Sequence, residues 1–292
     1  MGEHAVLHGK RALACAVDRF MRVTVAPRPD RMVCIQSALG KDQAALDKIE
    51  IRKPFAFVWA AVRSFADTLP AGADIEITSD FSDQIGFGSS AAVTVALLAA
   101  LDAWLGREND PFALHQRAVD IIRTVQGRGS GADAAASIFG GIVDYRAEPR
   151  RIEPLPAVHP IAVIYTGYKT PTSEVIARVE ADRQQRPALF KGFFFEIDEC
   201  VRDAVDAICR DDWPAVGRLM NQNHTLMEAL GVNDENLDRI VSALREEPNI
   251  LGAKTSGSGL GDCAVGLGWV DTWELPFEQI PCTMSTEGVR VE

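Results

Sequence analysis

The chain has 292 residues, of which 47% are hydrophobic and 24% charged, a composition typical of a folded globular protein and unlike that of a disordered one. Lysine and arginine number 30 against 41 aspartates and glutamates, which gives a formal charge of −11, and no block of basic residues marks a nucleic-acid-binding surface. The 6 cysteines are scattered without a Cys-x-x-Cys pair, so they are expected to be reduced core thiols.

Membrane and secretory signals are not expected either. The longest apolar run, residues 91–101, is far shorter than the about 20 residues that span a bilayer. The start of the chain does not read as a charged segment followed by an apolar one, as a signal peptide does. We therefore expect a cytoplasmic protein with neither a nucleic acid nor a membrane as partner.

The first 80 residues predict mainly strands. Residues 2–10 read as a polar loop, and residues 12–17 and 20–27 read as strands, the second with clear alternation. Residues 32–35 are expected to pair with 20–27 across the turn at 27–30. A helix and another strand follow at 54–69 and 73–78.

Helices dominate the next stretch. Their predicted ranges are 89–105, 110–126 and 134–139, and a strand follows at 142–145. Residues 147–158 are rich in Pro, Arg and Glu and predict a linker, or at least a boundary between domains.

The second half predicts the same mixture of elements. A strand is expected at 161–165, then helices at 172–183, 188–209, 213–229 and 234–247, a strand–loop–strand unit at 249–268 and a closing strand at 288–292. This order predicts an α+β fold in two lobes, with an N-terminal domain of residues 1–150 and a C-terminal domain of residues 151–292.

The most informative local feature is the turn Gly86-Phe87-Gly88-Ser89-Ser90. Two glycines let the backbone take positive φ and approach a ligand closely. The serines then fall at the first turn of a helix, where unpaired N–H groups and the helix dipole favour an anion. The alternative is purely structural, with Ser89 as the N-cap of the helix.

A second glycine-rich loop supports the first. Residues 254–262 contain three glycines and three hydroxyl side chains between apolar segments, and the centre of this loop is Ser256-Gly257-Ser258-Gly259. A flexible hairpin connection is the alternative interpretation. Two such loops in one chain together predict a polyanionic ligand such as a nucleotide.

Three segments resemble motifs of the GHMP kinase family, which comprises galacto-, homoserine, mevalonate and phosphomevalonate kinases. Residues 85–92 read Ile-Gly-Phe-Gly-Ser-Ser-Ala-Ala, like the family's nucleotide motif. Residues 254–263 are similar to its third motif, and residues 2–10 to the end of its first. The resemblance implies an N-terminal lobe of the ribosomal-protein-S5-domain-2-like type and a C-terminal ferredoxin-like lobe.

The resemblance also implies a small-molecule substrate and roles for individual residues. Ser90 matches the family's Mg²⁺-ligating serine, Asp133 its catalytic aspartate, and Glu3 and His4 match residues that line the acceptor site. Thr170 lies in a segment similar to phosphomevalonate kinases and is assigned to the substrate. The residues assigned to ATP are Gly86, Phe87, Gly88, Ser89, Ser90, Ser256, Gly257, Ser258 and Gly259.

The sequence departs from the family pattern at two points that bear on chemistry. The family's first motif opens with a strand that carries a lysine near the phosphates, and the present sequence begins after that strand, so we expect a form extended at its N-terminus to be more soluble and more active. The position of a metal-binding glutamate, eleven residues before Asp133, holds Ile122. Asp120 lies on a different helix face and is a poor substitute.

The acceptor is predicted to be mevalonate. The pair Asp262-Cys263 and the segment 165–172 are similar to phosphomevalonate kinases instead, and Lys169, Arg128 and Arg146 are cations that a phosphorylated acceptor could use. Another GHMP acceptor, a non-catalytic nucleotide sensor on the kinase fold and a purely structural subunit remain alternatives, and a homodimer is common among similar kinases.

Overall fold

The computed structural model describes residues 1–82, 85–108, 110–155 and 157–292. The chain forms two compact units, each assembled from separate stretches of sequence. We call residues 1–18, 83–87 and 140–287 the larger unit, and residues 19–82, 88–139 and 288–292 the smaller unit. The predicted domains, residues 1–150 and 151–292, are continuous stretches of sequence and differ in kind from these two units. That division stays a prediction.

The smaller unit contains a four-stranded sheet. Its strands are β2 (Met21–Pro27), β3 (Met32–Ser37), β4 (Gly40–Ala45) and β5 (Ala73–Ser79), in the order β2-β5-β3-β4. β5 is antiparallel to β2 and parallel to β3.

The predicted hairpin between residues 20–27 and 32–35 is therefore wrong. The Arg28 N–H donates to the carbonyl of Gly72, and the Gly72 N–H donates to the carbonyl of Asp30. These bonds hold the start of β5 between the two strands. Its buried Ala73, Ile75 and Ile77 make it a suitable interior strand, and β3 instead forms a hairpin with β4, a strand that the sequence interpretation missed.

Four helices build the core of the smaller unit. They are α1 (Ala56–Phe65), α2 (Ser89–Trp104), α3 (Pro111–Gln126) and α4 (Ala132–Phe139). α2 packs against the other three helices and against β2. Its fully buried Leu97, Leu98 and Leu101 explain why its sequence is apolar on nearly every face.

The larger unit contains two sheets. β1 (Arg11–Cys15), β6 (Ile142–Arg146) and β7 (Arg151–Leu155) form an antiparallel sheet in the order β1-β6-β7. The prediction of a linker at 147–158 is wrong in part, because Ile152 and Leu155 are buried apolar residues that pair β7 with β6.

The second sheet of the larger unit has the order β11-β8-β10-β9 and is antiparallel throughout. Its strands are β8 (Ile161–Lys169), β9 (Ile250–Thr255), β10 (Gly261–Gly268) and β11 (Glu278–Ile280). The closing strand predicted at 288–292 is wrong. In this segment the Val289 N–H donates one hydrogen bond to the carbonyl of Ile138. The strand that extends this sheet lies earlier in the chain, at β11.

Four helices accompany these sheets: α5 (Thr172–Gln185), α6 (Pro187–Cys209), α7 (Trp213–Ala229) and α8 (Glu235–Glu246). They lie where the sequence predicted them. α7 and α8 both pack against β9, and α6 packs against α7 and β1. Across the described residues, no helix combines the length and apolar character needed to cross a membrane.

Candidate active site

The start of α2 is arranged to receive an anion. Gly88 occupies the N-cap position with φ of 68°, in the left-handed region that glycine adopts without strain. Among the described residues, no side chain caps this helix end, and Ser89 and Ser90 form its first turn. The interpretation of Ser89 as a simple N-cap does not fit this geometry, and the partial positive charge of the helix end is left for a ligand.

Asp133 lies beside this helix end within the smaller unit. A Cβ placed on Gly88 would lie 3.3 Å from Asp133 Cβ and 3.7 Å from its Oδ2. Asp133 is exposed and is the second residue of α4, so it does not precede the helix as an N-cap residue would. The fold therefore brings the predicted catalytic carboxylate to the predicted phosphate turn.

The loop before α4 is fixed from α3. His115, which is buried, has its Nε2 3.0 Å from the carbonyl oxygen of Gly131, and Arg123 Nε donates to the carbonyl of Gly129 at 3.1 Å. Ile122 Cγ2 would lie 2.9 Å from a Cβ on Gly129, so this side chain fills the space beneath the loop. Packing explains why the position of the family's glutamate holds an apolar residue here.

The donor set near the phosphate turn suits Mg²⁺ without that glutamate. Asp120 is exposed and accepts a hydrogen bond from the Gln116 amide at 3.0 Å, which directs it away from the core face of α3. The Ser90 hydroxyl is a hard oxygen ligand of the kind that Mg²⁺ prefers, whereas Asp133 is the predicted catalytic carboxylate. Both are on the same unit as Gly88.

The third glycine loop belongs to the larger unit and is held at several points. The Ser256 N–H donates to the carbonyl of Cys263, and the Leu260 N–H donates to that of Val232. The Thr170 hydroxyl donates to the carbonyl of Leu260 at 2.6 Å. A Cβ on Gly259 would overlap the Val232 carbonyl. The loop is thus the connection of the β9–β10 hairpin, and contacts outside the hairpin hold it in place.

Glu3 forms a buried ion pair at the foot of this loop. Its Oε1 lies 2.5 Å from Nζ of Lys254, a side chain that is only 2% exposed. Burial alone would raise the pKa of Glu3, but the positive charges of Lys254 and of the Met1 amino group, together with hydrogen bonds, lower that pKa to about 2. Among the described residues, no group donates a hydrogen bond to the buried Oε2 of Glu3, so this oxygen can still accept one.

His4 joins the same two segments at a second point. Its Nε2–H donates to the carbonyl of Ser258 at 2.9 Å, and the residue is buried. Burial lowers the pKa of the imidazole, which stays neutral near pH 7. Its φ of 60° is rare for a residue with a side chain, and such strain is typical of functional segments.

Two further predicted site residues, Gly86 and Phe87, lie at the start of the phosphate turn. Phe87 packs against the core of the larger unit. The Gly86 N–H donates to Asp262 Oδ1 at 2.7 Å, so the protein itself satisfies this amide. The sequence interpretation assigned Gly86 to the nucleotide and gave neither Lys254 nor Asp262 a role in the site.

The edge of the second sheet in the larger unit is closed by side chains rather than by another strand. β9 is the edge strand, and its Ala253 N–H donates to Asn221 Oδ1 at 2.9 Å, while its Thr255 N–H donates to His224 Nδ1 at 3.3 Å. Asn221 and His224 lie one turn apart on α7. The start of the third glycine loop is therefore fixed by this helix.

His224, Glu228 and Asp238 bring three metal-ligand side chains together, but they do not suit a metal ion. Because the Thr255 N–H donates to Nδ1, the neutral ring carries its hydrogen on Nε2, the atom that faces Glu228 at 3.5 Å. A metal bound at Nε2 would require the opposite tautomer.

Two family models match the chain. The model described as GHMP kinases N terminal domain matches residues 56–141, and the model described as GHMP kinases C terminal matches residues 204–270. A mevalonate kinase of Archaeoglobus fulgidus is 36% identical over 293 residues, which covers 100% of this chain and 95% of that protein.

Solved structures agree with this result. L. major mevalonate kinase in complex with R-mevalonate has a TM-score of 0.73 and 27% identity, and the match covers 93% of this chain and 84% of that one. Streptococcus pneumoniae phosphomevalonate kinase in complex with phosphomevalonate and AMPPNP has a TM-score of 0.75 at 18% identity, covering 95% and 96%. The second likeness shows a shared fold and does not discriminate between acceptors.

Proposed function

Because this chain belongs to the GHMP kinase family, we propose that it transfers the γ-phosphoryl group of ATP to a hydroxyl of mevalonate, with 5-phosphomevalonate as the product. Family membership makes the protein an ATP-dependent small-molecule kinase with the α+β fold of that family, as its sequence predicted. The choice of acceptor is supported by a mevalonate kinase related to this chain over its whole length.

The observation that carries the chemistry is the position of Asp133 beside Gly88. Phosphoryl transfer is mainly a matter of positioning and charge stabilisation. Asp133 is exposed at the phosphate turn, where it would accept the proton of the acceptor hydroxyl as the new oxygen–phosphorus bond forms and the bond to ADP breaks. The start of α2 would hold the phosphates through its N–H groups.

We propose that Ser90, with the phosphates of ATP, holds Mg²⁺. When bound, the ion offsets the negative charge of the phosphates. Ile122 is committed to packing beneath Gly129, so the residue that stands in for the family's glutamate adds no ligand.

The surroundings of Glu3 favour mevalonate over a phosphorylated acceptor. Its ionised carboxylate has a buried oxygen to which a substrate hydroxyl could donate, whereas a phosphate dianion placed beside this carboxylate would be repelled. Arg146 Nε already donates to the carbonyl of Gly9 at 2.6 Å. Lys169 Nζ lies 3.5 Å from Asp262 Oδ2. Two of the three cations considered for a second phosphate are thus engaged within the larger unit.

Phosphomevalonate is the second candidate acceptor, because the pair Asp262-Cys263 and Lys169 resemble its kinases. On that alternative, the additional phosphate would compete with Asp262 for Lys169. A Lys169→Ala variant would then lose turnover with phosphomevalonate.

The test of the proposed chemistry is Asp133→Asn, with Asp120→Asn as a matched control on the exposed face of α3. We expect Asp133→Asn to lower kcat by about a hundredfold to ten-thousandfold while ATP still binds, because a general base is removed and the turn is unchanged. The control should keep the wild-type rate. Full activity in Asp133→Asn would refute the role, and wild-type protein that binds ATP but never turns over would identify a sensor.

A further inference from the structure

The nucleotide turn and the third glycine loop are connected by one carboxylate within the larger unit. Asp262 Oδ1 accepts a hydrogen bond from the Gly86 N–H at 2.7 Å. The contact is so close that a Cβ on Gly86 would overlap the Asp262 carboxylate. Residue 86 must therefore be a glycine, because the Asp262 side chain occupies the space that a Cβ would need. Gly86 stands two residues before Gly88, the N-cap of α2.

Asp262 is itself held in place. Its carbonyl oxygen accepts from the Thr166 hydroxyl at 2.9 Å, and the residue is only 8% exposed. Its φ of 70° is unusual for a residue with a side chain. It stands at the irregularity where β10 first pairs with β8, next to Gly261, where a Cβ would overlap the Tyr168 ring. The backbone conformation and the hydrogen bond together fix the direction in which Asp262 presents its carboxylate to the Gly86 N–H.

The residues on both sides of Gly86 are fixed as well. Ile85 and Phe87 pack against the apolar core of the larger unit, and the Phe87 N–H donates to the Ile85 carbonyl. The apolar contacts fix the side chains, and Asp262 fixes the peptide between them. Together they fix residues 85–87 within the larger unit.

The charge of this carboxylate is offset locally. A carboxylate near a triphosphate would weaken nucleotide binding by repulsion. Lys169 Nζ lies 3.5 Å from Asp262 Oδ2, on the oxygen that does not bind Gly86. Each oxygen of Asp262 therefore has a partner, and Lys169 offsets the charge that the carboxylate presents to the turn.

We propose that Asp262 is a positioning residue for the nucleotide: it holds the Gly86 peptide, the part of the nucleotide turn that belongs to the larger unit, while Lys169 offsets its charge. This inference rests on the proposed function, in which that turn binds ATP. Asp262 acts through Gly86 and does not itself contact the reacting atoms.

Asp198 provides a matched control in the same unit. Its Oδ1 accepts from the Arg11 N–H at 2.8 Å and its Oδ2 lies 3.4 Å from Lys10 Nζ, so it has the same two kinds of partner as Asp262. Removing either carboxylate leaves a backbone N–H and a lysine without their partner. Loss of stability should thus be similar, whereas loss of ATP affinity should be specific to Asp262.

The experiment measures KM for ATP, KM for mevalonate, ATP affinity by calorimetry and thermal stability in four variants. Asp262→Ala should raise the KM and Kd for ATP about tenfold or more, because the Gly86 N–H loses its acceptor, and leave the KM for mevalonate nearly unchanged. Asp262→Asn keeps an acceptor oxygen and should retain most of the affinity. Asp198→Ala should bind ATP like the wild type.

The charge argument is tested by Lys169→Ala, an accessible site where folding is not at risk. It should raise the KM for ATP most at low salt, since the unpaired carboxylate is then least screened. Unchanged ATP affinity in a folded Asp262→Ala, or in Lys169→Ala at low salt, would overturn the inference while leaving the kinase function intact. Wild-type protein that binds no ATP would overturn the proposed function and this inference together.

Discussion

The pH dependence of stability should reveal His224, the buried histidine that closes the edge of β9. Burial first, and then the nearby positive charges of Arg245 and Lys254, lower its pKa from 6.5 to about 4. The groups around it are Thr255 on β9, Glu228 on the same helix, and Asp238 on α8. The ring is thus neutral in the folded protein at pH 7.

The sign and size of the effect follow from proton linkage. Between pH 6.5 and about 4 the unfolded chain binds a proton at His224 that the folded protein does not, so stability falls as the pH is lowered through this window and levels off below it. A pKa that drops from 6.5 to about 4 corresponds to about 3 kcal/mol of unfolding free energy. This contribution is present in full above pH 6.5.

The assay is urea unfolding of the wild type and of His224→Gln across this window. A glutamine keeps an acceptor for the Thr255 N–H but does not titrate, so the stability advantage of the wild type should shrink by about 3 kcal/mol from neutral to acidic pH. Asn221→Ala, which removes a non-titrating partner of the same strand, should cost the same at every pH. A wild-type advantage over His224→Gln that does not change with pH would refute the reasoning.

Three further substitutions test the site and the packing beneath it. Lys254→Met should destabilise the protein by about 3–5 kcal/mol in urea unfolding, because the Glu3 carboxylate loses the buried cation that lies nearest to it; a cost below about 1 kcal/mol would contradict the ion pair. Gly217→Ala should cost about 2 kcal/mol or more by calorimetry, since its Cβ would overlap the carbonyl of the facing strand, whereas Gly192→Ala on open α6 should not destabilise. Ser90→Ala should raise the Mg²⁺ concentration needed for half-maximal rate about tenfold; an unchanged Mg²⁺ dependence would exclude this ligand.

Elements with strong local periodicity could be predicted from the sequence, and their pairing partners could not. The helices at 172–183, 188–209, 213–229 and 234–247 correspond to α5 to α8 because an apolar stripe defines each of them. The sheet order of the smaller unit depends on β5, which enters between β2 and β3 from about 40 residues away. No local pattern announces such an insertion.

The candidate site shows the same division. Glycine and serine at the phosphate turn have a local physical reason, so the sequence identified them. Lys254 and Asp262 owe their roles to contacts with residues far away in sequence. Lys254 pairs with Glu3 over 251 residues, and Asp262 binds the Gly86 N–H over 176 residues. The sequence did offer one signal for Lys254, since a lysine stands in an apolar strand directly before a glycine loop. Its burial became evident only with the fold.

The most direct test of the proposed function is the acceptor assay. ADP release would be followed with mevalonate, phosphomevalonate, galactose and homoserine supplied separately, and the product identified by phosphorus NMR. We predict that ATP and Mg²⁺ phosphorylate mevalonate with one ADP released per product, at a kcat/KM far above that for the other three. Faster turnover of another acceptor, or no turnover with any of the four, would contradict the assignment.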